Sequence, residues 1–110
     1  DVQEVVLRDR RMLSQDGMFV IIALLDQKTG KLKKSPDLIS RGFVYLKENQ
    51  ELLRQVRIII KKSIEEVNLK MSGNLMDFDH IKANLGENIS KFLYQKTAKR
   101  PLVIPVILSV

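Results

Sequence analysis

The residue types that catalyse hydrolysis are scarce in this sequence. The single histidine, His80, follows Asp79 near the start of a predicted helix, and the chain has no cysteine. A two-metal hydrolytic site needs several His and Asp ligands that converge on one cleft, and a Ser- or Cys-based triad needs a nucleophile beside a base. We therefore predict that His80 is a surface or capping residue, and we assign no catalytic or metal-ligating residue in this chain.

Carboxylates and glycines do not supply another reaction. Glu65 and Glu66 lie on the polar side of a predicted helix, where a solvated face is the default. No Gly-Lys-Ser or Gly-Lys-Thr sequence occurs, so the five glycines form no phosphate-binding loop of the P-loop type. An independent enzyme is consequently the least supported of the functional hypotheses.

Positive charge is the chemistry that the sequence does supply, because 19 Lys and Arg against 13 Asp and Glu give a net charge of +6. Clustered cations contact phosphates without reading base sequence, so an RNA-binding surface and an ordinary solvated face are both open interpretations. Base-stacking aromatics are expected to be scarce, since most of the two Tyr and four Phe fall on predicted core faces. The candidate phosphate contacts are Lys31, Lys33, Lys34, Arg54, Arg57, Lys61, Lys99 and Arg100.

Three strands are predicted to position these residues. Residues 18–25 are continuously apolar, which indicates a strand covered on both faces. Turn chemistry follows over residues 26–30, and a polar edge strand is predicted over about 31–39. Residues 102–108 form the last strand, where Pro105 lacks an N–H and therefore requires a free edge or a bulge.

Two amphipathic helices are predicted between the second and third strands, with Asn49 and Asp77 as N-caps. The apolar stripe of the first helix consists of Leu53, Val56, Ile60, Ile64 and Val67. The stripe of the second consists of Phe78, Ile81, Leu85, Ile89, Phe92 and Leu93, with Gly86 on the opposite face.

The order strand, strand, helix, helix, strand predicts a small two-layer α+β domain. Its three-stranded mixed sheet has the order 2-1-3, with both helices on one face and the third strand parallel to the first. Two helices cover only one face, yet the strands carry large apolar side chains on both, and apolar surface left in water costs about 25 cal/mol per Å². Residues 1–16, a second copy or the body of a larger enzyme must cover the other face, which predicts a docking or assembly module. The candidate interface residues are Arg41, Phe43, Ile58, Val103, Pro105 and Ile107.

Length and composition fit one domain, since 110 residues with 45% hydrophobic content can bury a core. The start at Asp1 suggests a fragment, with residues 1–16 as a connector and 17–110 as the domain. The lack of cysteine excludes disulfides and thiolate metal sites and favours a reducing cytoplasm. No apolar run approaches the roughly 20 residues that span a membrane, and the N-terminus does not resemble a signal peptide.

The segment Ser35–Tyr45 has an unusual order, SPDLISRGFVY, for which a structural role is favoured over docking or direct RNA contact. Pro36 and Asp37 are turn formers, and Gly42 suits a position with positive φ. Arg41 could pair with Asp37 or with a carboxylate of a partner.

That segment, together with LRDRRMLSQDG at Leu7–Gly17 and TAKRPLVIPVILSV at Thr97–Val110, resembles the C-terminal domain of ribonuclease J. The family consists of two-metal ribonucleases built on a metallo-β-lactamase/β-CASP core. The match runs in the family's order and is loosest at Val67–Asn74. Because the family's catalytic and metal positions lie upstream of this domain, none maps onto this chain.

The resemblance implies a cytoplasmic, zinc-dependent parent ribonuclease that acts as a 5′-to-3′ exonuclease and as an endonuclease in RNA maturation, including rRNA processing, and in mRNA decay. Two zinc ions would lie in the catalytic core of that parent and none in this chain. The implied partners are its own catalytic core, a second subunit of a dimer or tetramer, and RNA through the parent. This chain would be a non-catalytic domain that supports assembly and activity, with an auxiliary RNA-binding surface as the alternative.

Overall fold

The computed structural model describes residues 16–70 and 77–110, so the predicted connector at residues 1–16 lies, apart from Asp16, outside the described residues. The elements in chain order are β1 (Met18–Leu25), β2 (Asp37–Arg41), a 3-10 turn (Leu46–Glu48), α1 (Gln50–Lys70), α2 (Phe78–Thr97) and β3 (Leu102–Ser109). This order confirms the predicted α+β arrangement.

The three strands form one mixed sheet in the order β2-β1-β3. β1 runs antiparallel to β2, with Ile21 opposite Leu38, and parallel to β3, with Ile21 opposite Pro105. Among the described strands β3 pairs only with β1, so Pro105 stands on an edge strand where its missing N–H removes no second ladder. The predicted sheet order, strand directions and edge position of the proline are confirmed.

The core lies between one face of this sheet and both helices. Alternate residues of β1, namely Phe19, Ile21, Ala23 and Leu25, are inaccessible to solvent. The predicted α1 stripe is buried throughout, and α2 buries four residues of its own stripe against the same core, with Phe78 and Phe92 packed at the margin. The 3.6-residue period therefore identified the covered face of each helix.

The second strand begins later than predicted, at Asp37 rather than Lys31. The Asp26 carboxylate accepts the N–H groups of Lys28 at 2.7 Å and Thr29 at 3.1 Å, which closes the turn after β1. Beyond the turn a single β-bridge joins Leu32 to Leu25, beside the bond from the Lys33 N–H to the Leu24 carbonyl at 2.8 Å. Pro36 then interrupts the ladder because it has no N–H to donate.

The two predicted N-caps differ. Asp77 caps α2, because its carboxylate accepts the His80 N–H at 3.1 Å. Asn49 precedes α1, and its carbonyl accepts the Leu53 N–H at 3.0 Å. Its side-chain amide instead donates to the carbonyl of Tyr45 at 2.7 Å, so it links the helix to the preceding 3-10 turn.

Candidate functional site

The face of the sheet away from the helices is apolar. Its side chains alternate with the core residues along each strand, and by register they are Met18, Val20, Ile22, Leu24, Ile39, Leu102, Ile104, Val106 and Leu108. Most are half-buried, and Leu108 is 50% exposed. Among the described residues, charged side chains on this face are limited to Asp37 and Arg41 at the β2 border. We call the nine apolar residues the helix-free face, with Asp37 and Arg41 at its border.

The β3 residues predicted as interface positions do not lie on this face. Val103, Pro105 and Ile107 pair in register with core residues of β1, which places them on the helix-covered face, and Ile107 is buried. Strand side chains alternate between faces, so an offset of one residue exchanges the two sets. Phe43 is buried as well, and its ring meets that of Phe19 edge-on at 6.1 Å and 85°.

Arg41 stays exposed at the edge of the helix-free face, where its guanidinium donates to the Ser40 carbonyl at 3.5 Å. The pair with Asp37 that the sequence suggested does not form, because the Asp37 carboxylate pairs with Lys34 Nζ at 3.3 Å. Gly42 has the expected positive φ of 67°. Arg41 therefore keeps its charge available at the border of the apolar surface.

Gly17 joins the three segments that carry the sequence resemblance. Its φ is +79°, and a Cβ atom built there would lie 2.2 Å from the Arg41 carbonyl oxygen, so only glycine fits. Its own carbonyl accepts the Leu102 N–H at 2.9 Å. Gly17 therefore contacts both of the other segments at the start of β1.

Four predicted phosphate contacts come together around one groove of about 450 Å³. The cations Lys34, Arg54, Arg57 and Lys61 line it together with the apolar residues Leu32, Pro36 and Ile58. Ile58, a predicted interface residue, is 41% exposed there. The structure therefore places an apolar contact and four cations in the same groove, which we call the basic groove.

Ion pairs reduce the positive charge of the basic groove. The Arg54 guanidinium binds both carboxylate oxygens of Glu51, at 2.9 Å and 2.7 Å. Chiefly this hydrogen-bonded pair lowers the pKa of Glu51 to about 2 and raises the pKa of Arg54. Lys34 is paired with Asp37. Of the four cations in the basic groove, Arg57 and Lys61 are therefore the two without an acidic partner in the described parts of the chain. Within those parts Arg57 Nε is also buried without a hydrogen-bond partner.

The remaining predicted cations lie elsewhere. Lys31 is exposed on the turn after β1, and Lys33 Nζ is 3.8 Å from the Asp26 carboxylate. Lys99 and Arg100 lie at the other end of β1, since the chain enters β3 beside Gly17. These four candidates thus divide between opposite ends of β1, with Lys31 and Lys33 after its last residue and Lys99 and Arg100 beside its start.

The sequence reasoning missed an aromatic residue beside Arg100. The ring of Tyr94 is 45% exposed, and the Arg100 Cζ atom lies 4.5 Å from its centroid. Together with Ser90, Lys91 and Pro101 they line a recess of about 270 Å³. Helical spacing could have identified Tyr94, because it follows Ser90 by four residues and Lys91 by three and so shares their polar stripe.

Within residues 16–70 and 77–110, no group of three or more His, Cys, Asp or Glu side chains is placed to hold a metal ion. His80 is exposed in the first turn of α2. None of the helices in those ranges combines the length and apolar character that crossing a bilayer requires.

Residues 5–110 match the family model described as the ribonuclease J C-terminal domain. The chain is 39% identical over 107 residues to a Staphylococcus epidermidis protein named Ribonuclease J 2, and 40% identical over 111 residues to a Staphylococcus aureus protein of the same name. Each alignment covers 97% of this chain but 19% of the relative, so the chain spans about a fifth of their length. The chain belongs to the ribonuclease J C-terminal domain family.

Proposed function

We propose that this domain is a non-catalytic assembly module of a larger ribonuclease J, and that its helix-free face contacts the catalytic body or a second copy of the chain. The observation that carries the proposal is the apolar composition of that face. Both described helices pack on the opposite side, and the free side presents aliphatic side chains from all three strands. Contiguous apolar surface of this kind is typical of an interface.

The rest of the proposal follows from the family. The two relatives are named as ribonucleases and extend well beyond the part that this chain matches. We infer that catalysis belongs to a region outside this domain, with two zinc ions, 5′-to-3′ exonuclease and endonuclease activity in rRNA maturation and mRNA decay, and a cytoplasmic location. The lack of ligand clusters in the described ranges is compatible with that division. Residues 1–16 would connect the two regions, and 17–110 would form the domain.

Size-exclusion chromatography with light scattering tests the assembly role, on this chain and on the parent enzyme. Ile104→Lys places a charge on the helix-free face at the middle of β3, and it should lower the oligomeric state or release the domain from the body, with reduced RNA cleavage. Tyr45→Lys is the matched control, because it introduces the same charge at a side chain that is 78% exposed and lies outside the helix-free face and the basic groove. An oligomeric state and activity unaffected by Ile104→Lys and by deletion of residues 17–110 would contradict the proposal.

A second candidate function is an auxiliary RNA-binding surface, which the basic groove favours. Cations that meet phosphates release counterions, so the binding constant falls with added salt. Titration of the chain with single-stranded RNA over a salt series should give a negative slope, and replacing Lys61 with alanine should reduce that slope by about one unit. RNA binding that is undetectable at low ionic strength would remove this function and leave the assembly role untouched.

A further inference from the structure

The connection between α2 and β3 is held rigidly. Thr97 Oγ1 donates to the Leu93 carbonyl at 2.7 Å and accepts the Lys99 N–H at 3.1 Å. Ala98 adopts the left-handed conformation with φ 58°, and its N–H closes the helix on the Tyr94 carbonyl at 2.8 Å. The backbone after the helix is consequently fixed by local hydrogen bonds rather than left to sample many conformations.

Contacts from the start of β1 fix the next residues. The Arg100 N–H donates to the Asp16 carboxylate at 2.8 Å. Pro101 is buried, and the Leu102 N–H bonds to the Gly17 carbonyl at 2.9 Å. The backbone of Arg100 is therefore anchored on both sides, and its side chain lies over the Tyr94 ring of α2.

The result is a stacked pair at the surface. The guanidinium carbon of Arg100 lies 4.5 Å from the Tyr94 ring centroid. In the described ranges no carboxylate lies within ion-pair distance of that guanidinium. Lys91 lines the same recess, with its ammonium 3.1 Å from Glu87, and Lys99 is exposed directly before Arg100 in the chain. A guanidinium, an aromatic ring and one lysine thus line one recess, and a second lysine is adjacent to it in sequence.

We infer that this recess stacks one base of single-stranded RNA on the Tyr94–Arg100 pair, with Lys91 and Lys99 near the flanking phosphates. The inference rests on the RNA-binding surface proposed above as the second function. Aromatic rings and guanidinium planes are the surfaces on which proteins stack unpaired bases. The recess of about 270 Å³ is comparable with one nucleotide.

The chemistry of the recess favours RNA over an acidic peptide. A carboxylate needs only donors and positive charge, and the basic groove around Ile58 supplies those without any aromatic side chain. The recess adds a ring that a peptide carboxylate does not use. The chain also belongs to a family named for ribonucleases and has a net charge of +6.

Fluorescence anisotropy of the full chain with a labelled oligouridylate of about ten nucleotides tests the site. Tyr94→Leu keeps an apolar side chain but removes the ring, and we expect binding to weaken about five-fold or more. Tyr45→Leu is the matched control, because Tyr45 is 78% exposed and lies outside the recess. An abasic oligomer with the same phosphates should bind both variants equally. Thermal unfolding followed by circular dichroism verifies that each variant folds.

Arg100→Lys separates planarity from charge. Lysine keeps the positive charge but cannot stack as a plane, so affinity for oligouridylate should fall while the salt slope stays the same. Arg41→Lys is the matched control, because Arg41 is exposed and lies outside both the recess and the basic groove, and it should leave the affinity unchanged. An equal loss for the abasic oligomer would mean that Arg100 acts only as a phosphate contact, and that result would overturn its stacking role.

Intrinsic fluorescence gives a second measurement, since the chain has two tyrosines and no tryptophan. In the Tyr45→Leu variant, Tyr94 is the only tyrosine, and oligouridylate but not the abasic oligomer should quench it. Salt-dependent RNA binding that Tyr94→Leu leaves unchanged, with no quenching, would overturn the stacking site and keep the RNA surface. RNA binding that is absent at low salt would overturn both, and the assembly role would stand alone.

Discussion

Ile21 and Ile22 are neighbours on β1 with opposite surroundings. Ile21 has no exposed surface and contacts the core beneath the helices, whereas Ile22 is half-buried on the helix-free face. Both faces of the strand are aliphatic, so composition does not distinguish them. The difference teaches that a continuous apolar strand indicates that both faces of the sheet must be covered. The helices of the chain then determine which of the two faces is covered within the domain.

Truncating these two isoleucines gives the largest expected effect. Ile21→Ala leaves a cavity between sheet and helices and should lower the free energy of unfolding by about 2–5 kcal/mol. Ile22→Ala removes the same atoms from a partly covered face and should cost less than half as much in the monomer. Urea unfolding of both variants at a concentration where the chain is monomeric measures the difference. Equal losses would mean that the helix-free face is as well covered as the core.

The start of β1 tests a limit that both faces share. Gly17→Ala forces a Cβ against the Arg41 carbonyl at a residue with φ +79°, so it should destabilise the domain by at least about 2 kcal/mol. Gly86→Ala is the matched control, because the added methyl group would have no described atom within 4 Å apart from the helix's own backbone, and alanine favours helix. It should raise stability by up to about 1 kcal/mol. Unfolding midpoints that shift in the same direction would refute this account.

A polar group on the covered side provides a finer test. Ser63 is 2% exposed between the helices, and its hydroxyl accepts the Asn88 amide N–H at 2.9 Å. Ser63→Ala should cost about 1–2 kcal/mol, because the partly buried Asn88 donor loses its partner. Adding Asn88→Leu to that variant should recover part of the loss. If Ser63→Ala alone were as stable as the original chain, that result would indicate that water replaces the hydroxyl.

Helix faces were predictable from the sequence because they depend on short-range periodicity, and the sheet order was predictable because the element order and the apolar strand 18–25 place β1 in the middle. The stripe of α1 and the edge position of Pro105 both follow from spacing and from the missing N–H. Which alternate residues of β3 lie on the helix-free face was not predictable. A strand with Val103 on that face has the same composition and the same two-residue period as one with Ile104 there. Only the register with β1 decides it.

The candidate sites show the same division. Clustering of Arg54, Arg57 and Lys61 was expected from helical spacing, and the structure brings them to one groove with Lys34. The ion-pair partner of Asp37 could not be predicted, because Lys34 and Arg41 are both close to it in sequence and only the folded geometry selects between them. Tyr94 was missed because its stacking partner arrives only through the turn that follows α2.

Two exposed carboxylates give the smallest expected effects, through pH. Backbone N–H groups of the turn after β1 lower the pKa of Asp26 from 3.8, and the Arg54 hydrogen bond lowers the pKa of Glu51 from 4.5 to about 2. A folded-state pKa below the unfolded value stabilises the protein above the unfolded pKa, and this stabilisation is lost as pH falls through the folded pKa. Stability should therefore decline between about pH 4.5 and pH 2.

Glu51→Gln and Asp26→Asn separate the two contributions. Each neutral amide keeps an oxygen acceptor but does not titrate, so each variant should flatten the decline measured by urea unfolding over a pH series. Glu51 lies on α1 and Asp26 directly follows β1, so the two variants also compare the helix layer with the central strand. Because the larger shift belongs to Glu51, the Gln variant should flatten the curve more. A stronger flattening by Asp26→Asn would show that the turn, rather than the Glu51–Arg54 pair, dominates the acid sensitivity of the domain.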